Sequence, residues 1–236
     1  MITSGLTHKG HVRKKNEDRF VIKDFDNGNR VLLAVIDGLG GQPGGEYAAE
    51  LAEEILAAYE PTDEPVPAQL LALINRANGT ILRVAEEDPS KAYMGCTITA
   101  ALADREKVYW VHVGDCRLYH FRNRKLLQVT TDQNMAQFLV EEGQLTPEEA
   151  QKSPMQRMLD QCVGNPYCEP VTGEFAVEAG DAIYCFTDGI HDELEQDTML
   201  AAIAADLPLA DKIRVLVDSA LQAGGRDNCT AVAAEL

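Results

Sequence analysis

Residues 31–45, VLLAVIDGLGGQPGG, constrain this chain more than any other stretch. The apolar residues from Val31 to Ile36 run without a break and stop at Asp37. A run of that length predicts a fully buried strand. The acid at its tip is followed by Gly38 and a glycine-rich turn. That places a carboxylate where backbone and side chain can both approach an ion closely. Taken alone, the same pattern also describes a tight strand-to-helix turn ending in an acid. Three further stretches are built in a similar way, and they decide between the two.

With 236 residues the chain suffices for one sizeable domain, 1–236, with a two-layer core and helices outside. Residues 2–7 read as an edge strand and 19–24 as a strand entered from the charged cluster RKKNED. Residues 31–37 are expected to pair with 19–24 through an Asn27-Gly28-Asn29 turn. Helices are predicted over 45–59 and 68–87, each with an apolar face at helical spacing, with a break over 61–67. Residues 94–102, 107–113 and 116–121 read as consecutive strands of a meander, with 125–129 as a fourth. Short helices are expected over 134–143 and 146–152. Thr146-Pro147-Glu148-Glu149 carries the signature of a capped helix start. The polar segment 142–161 is the candidate flap. Strands over 171–177 and 181–186, helices over 195–205 and 209–223, and a closing strand over 229–234 complete the pattern. A helical layer packed on sheet follows.

The formal net charge is -17, which argues against non-specific nucleic-acid binding. It also repels phosphorylated ligands at long range, so a phosphate site would need bound metal ions or a placed arginine. No apolar run is long enough to cross a membrane, and the polar, basic N-terminus lacks the apolar core of a signal peptide. A cytoplasmic location is therefore expected. Six cysteines without a C-x-x-C pair predict free, buried thiols.

Four acidic positions share a context. Glu17-Asp18 precede a strand, Asp37-Gly38 and Asp188-Gly189 each end one, and Asp227 precedes the last after a Gly-Gly turn. Hard divalent cations take oxygen ligands from carboxylates and carbonyls. Several such strand ends meeting at one rim would crowd like charges and need a cation to offset them.

On the stretches SGLTHKGHVRKKNEDRF, AVIDGLGG, MGCTITAAL, WVHVGDCRLYHF, VTTDQ, FTDGIHDEL and GGRDNCTAV, in that order, the chain resembles the metal-dependent serine/threonine protein phosphatases of type 2C in their compact bacterial form. The resemblance implies an α+β fold, a four-layer α-β-β-α sandwich of two mainly antiparallel sheets flanked by helices, with a metal site at one end. It implies two divalent cations, Mn²⁺ or Mg²⁺. Asp37 matches the bridging carboxylate, with Asp188 and Asp227 completing one site. Glu17 and the Gly38 carbonyl belong to the other, and Asp18 holds coordinated water. Arg13 matches the arginine that grips phosphate, and Asp115 and Asp192 match acids that hold a third, weaker metal. Asn228 is a supporting residue. The implied reaction is hydrolysis of phosphoserine and phosphothreonine by a metal-bridging hydroxide. The implied partners are phosphoproteins made by a bacterial serine/threonine kinase, met by a monomer with no nucleic acid and no membrane.

Departures from the family pattern fall on Leu39, where many eukaryotic members carry histidine, on Gln133 and on Ser153. They bear on flap anchoring and substrate choice. Two other functions compete with this one. Cys116 to Arg122 fits the C-x5-R pattern of cysteine-dependent phosphatases, though without the glycine-rich loop that chemistry needs. A non-catalytic phosphoprotein-binding module is the other alternative, and it would have no need for both ligand sets. Of the histidines, His112 and His120 are expected to be structural, and His191 to pack or lie at the surface.

Overall fold

A computed structural model describes residues 1–39 and 44–236. The glycine-rich turn expected at 40–43 lies outside them. In chain order the described elements are β1 (Ile2–His8), β2 (Asp18–Phe25), β3 (Arg30–Gly38), α1 (Gly45–Ala57), α2 (Val66–Glu87), β4 (Cys96–Ala103), β5 (Lys107–Val113), β6 (Arg117–Arg122), β7 (Lys125–Gln128), α3 (Met135–Glu141), α4 (Pro147–Ala150), β8 (Val171–Ala176), β9 (Ala182–Phe186), α5 (Asp188–His191), α6 (Gln196–Ile203), α7 (Leu209–Ala223) and β10 (Cys229–Glu235). Two five-stranded antiparallel sheets result, ordered β1-β10-β9-β6-β7 and β2-β3-β4-β5-β8.

The unbroken apolar run of β3 now has its cause. Val31, Leu33 and Val35 pack between the sheets against Ala101, Leu118, Ile183 and Val232. Leu32, Ala34 and Ile36 point the other way, onto α1 and α2 through Ala48, Ala52, Leu70 and Ile74. Both faces of the strand are covered, so alternation with polar residues is lost. The second sheet does the same with α6 and α7, where Tyr184 and Phe186 meet Ile203, Ile213, Leu216 and Val217. Four layers follow, helix on sheet on sheet on helix. Each buried aliphatic side chain contributes roughly 1.5–3 kcal/mol, and truncating one such as Leu33 to alanine costs roughly 2–5 kcal/mol.

The expected meander is wrong at its third strand. β4 and β5 pair, but β6 does not return beside β5. β8 occupies that edge of β5, from Lys107 opposite Ala176 to His112 opposite Val171. The chain instead crosses at 114–116 into the other sheet, where β6 lies between β9 and β7. The step from β8 to β9 is a second crossing of the same kind. Helix α2 begins two residues earlier than expected, because Pro67 sits in its first turn rather than before it. Thr146 and Glu149 cap α4 reciprocally, as its sequence predicts. Among the described residues no helix is long and apolar enough to cross a membrane.

Candidate active site

The loop 9–17 joins β1 to β2 at the end of the sandwich where β3, β9 and β5 finish and β10 begins. One side chain holds that loop. Asn228, 3% exposed, donates from Nδ2 to the carbonyls of Lys9 (2.8 Å) and Lys15 (2.9 Å) and accepts the Glu17 N–H at Oδ1 (2.8 Å). Its amide is fully used in tying Arg13 and Glu17 to the start of β10. The sequence marked Asn228 only as supporting.

The glycines that follow the acids answer to close packing. A Cβ on Gly38 would lie 2.5 Å from the Gly45 carbonyl oxygen and 2.9 Å from that of Glu17. A Cβ on Gly189 would lie 1.9 Å from the Asn228 carbonyl oxygen. Any larger residue would push the strand ends apart.

A cavity of about 440 Å³ opens at this end. Arg13, Glu17, Asp37, Gly38, Asp115, Asp188, Asp192, Asp227 and Asn228 all line it. Asp18 lies beneath, directly across from Asp37 in the β2–β3 register and 1% exposed. Burial, followed by the charges of Asp188, Asp18 and Asp115, pushes the Asp37 carboxyl well above its usual value. Burial and the charges of Asp115 and Asp227 do the same to Asp188. Asp115 and Asp18 are also raised, burial leading in both. Glu17 rises through burial against the pull of Arg13. Four buried or half-buried acids close enough to raise one another make an oxygen-rich, negative pocket.

Arg13 reaches Asp227 with Nη2 at 2.5 Å, and this bond raises the guanidinium's own pKa. Among the described residues, no three His, Cys, Asp or Glu side chains already stand as a group that could hold a metal ion. Two observations nevertheless fit a hard divalent cation. The donors are carboxylate and carbonyl oxygens lining one cavity, and Asp18 Oδ1 is buried without a hydrogen-bond partner.

The cavity also contains residues that sequence reasoning missed. Arg117 makes a two-pronged bond to Asp132, Nε to Oδ1 at 2.8 Å and Nη2 to Oδ2 at 2.7 Å. Asp132 belongs to the stretch VTTDQ and Arg117 follows Asp115 by two residues, so both lay within recognised stretches without being singled out. Gln156 and Arg157, from the expected flap, line the same cavity. His191 does not lie at the surface: it is buried, its Nε2 donates to the Asp115 carbonyl at 3.1 Å, and its Nδ1 stands 3.3 Å from Asp192 Oδ1. Gln133 anchors rather than loosens its neighbourhood. It accepts the Gly114 N–H at Oε1, and its carbonyl takes the N–H groups of Asp160 and Gln161.

Cys116 is fully buried between the sheets with Sγ 3.1 Å from Thr97 Oγ1, and burial pushes its thiol well up. Arg122 sits at the far end of β6, bonded to Asp181. A thiolate nucleophile with an arginine beside it is excluded.

The protein phosphatase 2C model matches residues 7–221. The serine/threonine protein phosphatase PstP of Mycobacterium tuberculosis is 35% identical over 232 residues, covering 97% of this chain and 43% of its own length. The chain therefore spans less than half of that relative. Protein phosphatase PhpP of Streptococcus pneumoniae is 30% identical over 237 residues, covering 98% of this chain and 95% of its own. This chain belongs to the protein phosphatase 2C family. The crystal structure of the PstP catalytic domain in complex with two manganese ions superposes with a TM-score of 0.84 at 33% identity, covering 99% of this chain and 97% of that one. The two-sheet sandwich is thus the protein phosphatase 2C fold, and the acidic cavity lies at the end of it where both sheets contribute.

Proposed function

We propose that this chain hydrolyses phosphoserine and phosphothreonine in proteins at the acidic cavity, with two divalent cations. The observation that carries the proposal is the meeting of Glu17, Asp37, Asp188 and Asp227 from two different sheets with Arg13 in one open cavity, with Asp18 buried directly beneath it. Asp37 would lie between the two ions, with Asp188 and Asp227 on one side and Glu17, the Gly38 carbonyl and Asp18 on the other. Asp115 and Asp192, on either side of His191, would hold a third and weaker ion. When bound, such a pair supplies a water acidic enough to attack near neutral pH and offsets the charge of the phosphate. Oxygen donors suit Mn²⁺ or Mg²⁺.

The chain's own contribution is placement. Arg13, released from Asp227, presents two N–H donors to phosphate oxygens in a fixed fork. Leu39 at the cavity wall offers no proton. His191, the imidazole on this wall among the described residues, commits Nε2 to Asp115. The proton for the departing serine or threonine oxygen therefore comes from solvent at the site. The substrates are phosphoproteins made by a bacterial serine/threonine kinase, and a monomer working in the cytoplasm fits the chemistry.

The test is turnover of a phosphothreonine peptide with Mn²⁺. EDTA should abolish it, and Asp37→Asn should lower it by ~10³-fold or more. Full turnover in EDTA would sink the proposal, and binding of phosphopeptide without turnover would point to the non-catalytic alternative.

A further inference from the structure

Asp18 is buried in the strand layer with its two carboxylate oxygens treated differently. Oδ2 accepts two hydroxyl hydrogen bonds, from Thr187 Oγ1 at 2.8 Å and from Thr230 Oγ1 at 2.6 Å. Oδ1 has no hydrogen-bond partner. Both threonines are completely buried, and both come from the opposite sheet.

Counting donors fixes every hydrogen in this group. A hydroxyl donates once. Thr187 spends its hydrogen on Asp18 and accepts the Thr230 N–H at 3.0 Å. Thr230 spends its hydrogen on Asp18, so the 2.7 Å contact with Thr7 Oγ1 must be donated by Thr7. Thr7 in turn accepts from Asn16 Nδ2 at 2.9 Å. A one-way chain results, Asn16 to Thr7 to Thr230 to Asp18, with Thr187 joining at its end. Both donors converge on one oxygen, which fixes the rotation of the carboxylate and leaves Oδ1 as the free ligand atom.

From this we infer that Thr187 and Thr230 are positioning residues for the divalent-cation site. They hold Asp18 so that Oδ1 serves the cation or its water, and Thr7 supports Thr230 from behind. The inference rests on the proposed function and deepens it. Thr187 adjoins Asp188 and Thr230 follows Asp227 by three residues. The same hydroxyls therefore set the Asp18 half of the site against the Asp188–Asp227 half, across the gap between the sheets. A merely structural role, that of feeding hydrogen bonds to a buried acid, would lower stability without changing how the folded protein binds metal.

The experiment titrates Mn²⁺ against the protein, following the electron paramagnetic resonance of free Mn²⁺, for wild type, Thr187→Val, Thr230→Val and the serine variant at each position. Thermal unfolding in EDTA and steady-state turnover of a phosphopeptide run alongside. Replacing the hydroxyl by a methyl group should weaken Mn²⁺ binding by about tenfold or more, the scale of outer-layer ligand support. Substrate KM at saturating Mn²⁺ should stay at its wild-type value, and serine should restore the metal affinity. Where a valine variant fails to fold, Thr7→Val carries the test. It keeps both bonds to Asp18 and removes only the donor behind them, so a smaller loss of affinity is expected. Valine variants that bind Mn²⁺ as wild type does, or serine variants as weak as valine, would overturn the assignment alone. A wild-type chain that binds no Mn²⁺ would overturn it together with the proposed function.

Discussion

The two ends of the sandwich handle buried acid in opposite ways, and β6 runs between them. At its far end Asp181, 3% exposed, accepts from Arg122 Nε and Nη2, from His120 Nε2 and from the Glu178 N–H. Burial works to raise this carboxyl, but those donors outweigh it and hold it at about 2. At the near end Asp18 is as deeply placed and Asp37, Asp115 and Asp188 are half-buried, yet all four are pushed upward. The chain balances a buried carboxylate with its own cations where the task is structural. Where it leaves the charge unbalanced, the balance must come from a ligand.

The largest break in this comparison should come from removing a near-end acid. Asp188→Asn is expected to lower turnover by ~10³-fold while raising the melting temperature of the metal-free protein. The sign follows from the raised pKa. An acid harder to ionise when folded costs stability as pH climbs above its unfolded value, and asparagine removes that cost. Calorimetry in EDTA at mildly alkaline pH checks it, and a lower melting temperature for the variant would contradict the account.

The mirror experiment is Asp181→Asn, which should cost about 2 kcal/mol and leave turnover intact. The stabilisation from this depressed carboxyl is present above 3.8 and lost as pH falls towards 2. Urea unfolding across that window measures it. An Asp181→Asn variant as stable as wild type would erase the contrast between the ends.

His112 sharpens the contrast within the gap between the sheets. Its Nε2 donates to the Thr131 carbonyl at 3.0 Å and Nδ1 meets Thr99 Oγ1 at 2.8 Å. Burial lowers its pKa to about 4, so the folded state holds it neutral. Stability is complete above 6.5 and falls by up to about 3 kcal/mol as pH drops towards 4. His112→Gln should flatten that part of the stability curve. The smallest effect is expected at Cys116→Ser, where a buried hydroxyl can keep the bond to Thr97. Turnover should not change, and its loss would reopen the thiol mechanism.

Much of this was legible in local pattern. The β3 run announced a strand covered on both faces, and helical spacing located α1, α2 and α7, the last with its bounds as expected. Each strand-end acid named from the sequence reaches the same end of the sandwich. Pattern could not say which sheet a strand joins, because period-two burial looks alike in both; β6 was misjudged for that reason. Nor could it find the threonine chain, whose links join residues 169 and 212 positions apart. His191 was a lone histidine in sequence and acquires its place only when α5 folds beside Asp115. The glycines after the acids were read as exposing carbonyls, whereas the structure ties them to backbone packed within van der Waals reach.

The repeated crossing of the chain between sheets has a mechanical consequence. Glu17, Asp18 and Asp37 ride on one sheet, Asp188 and Asp227 on the other. The thickness of the layer between them, filled by Leu33, Ala101, Ala103, Val232 and Ala234, therefore works as the screw of a caliper whose jaws are the two halves of the acidic cavity. A methyl group added to that layer, far from any phosphate, reaches the chemistry by opening the jaws.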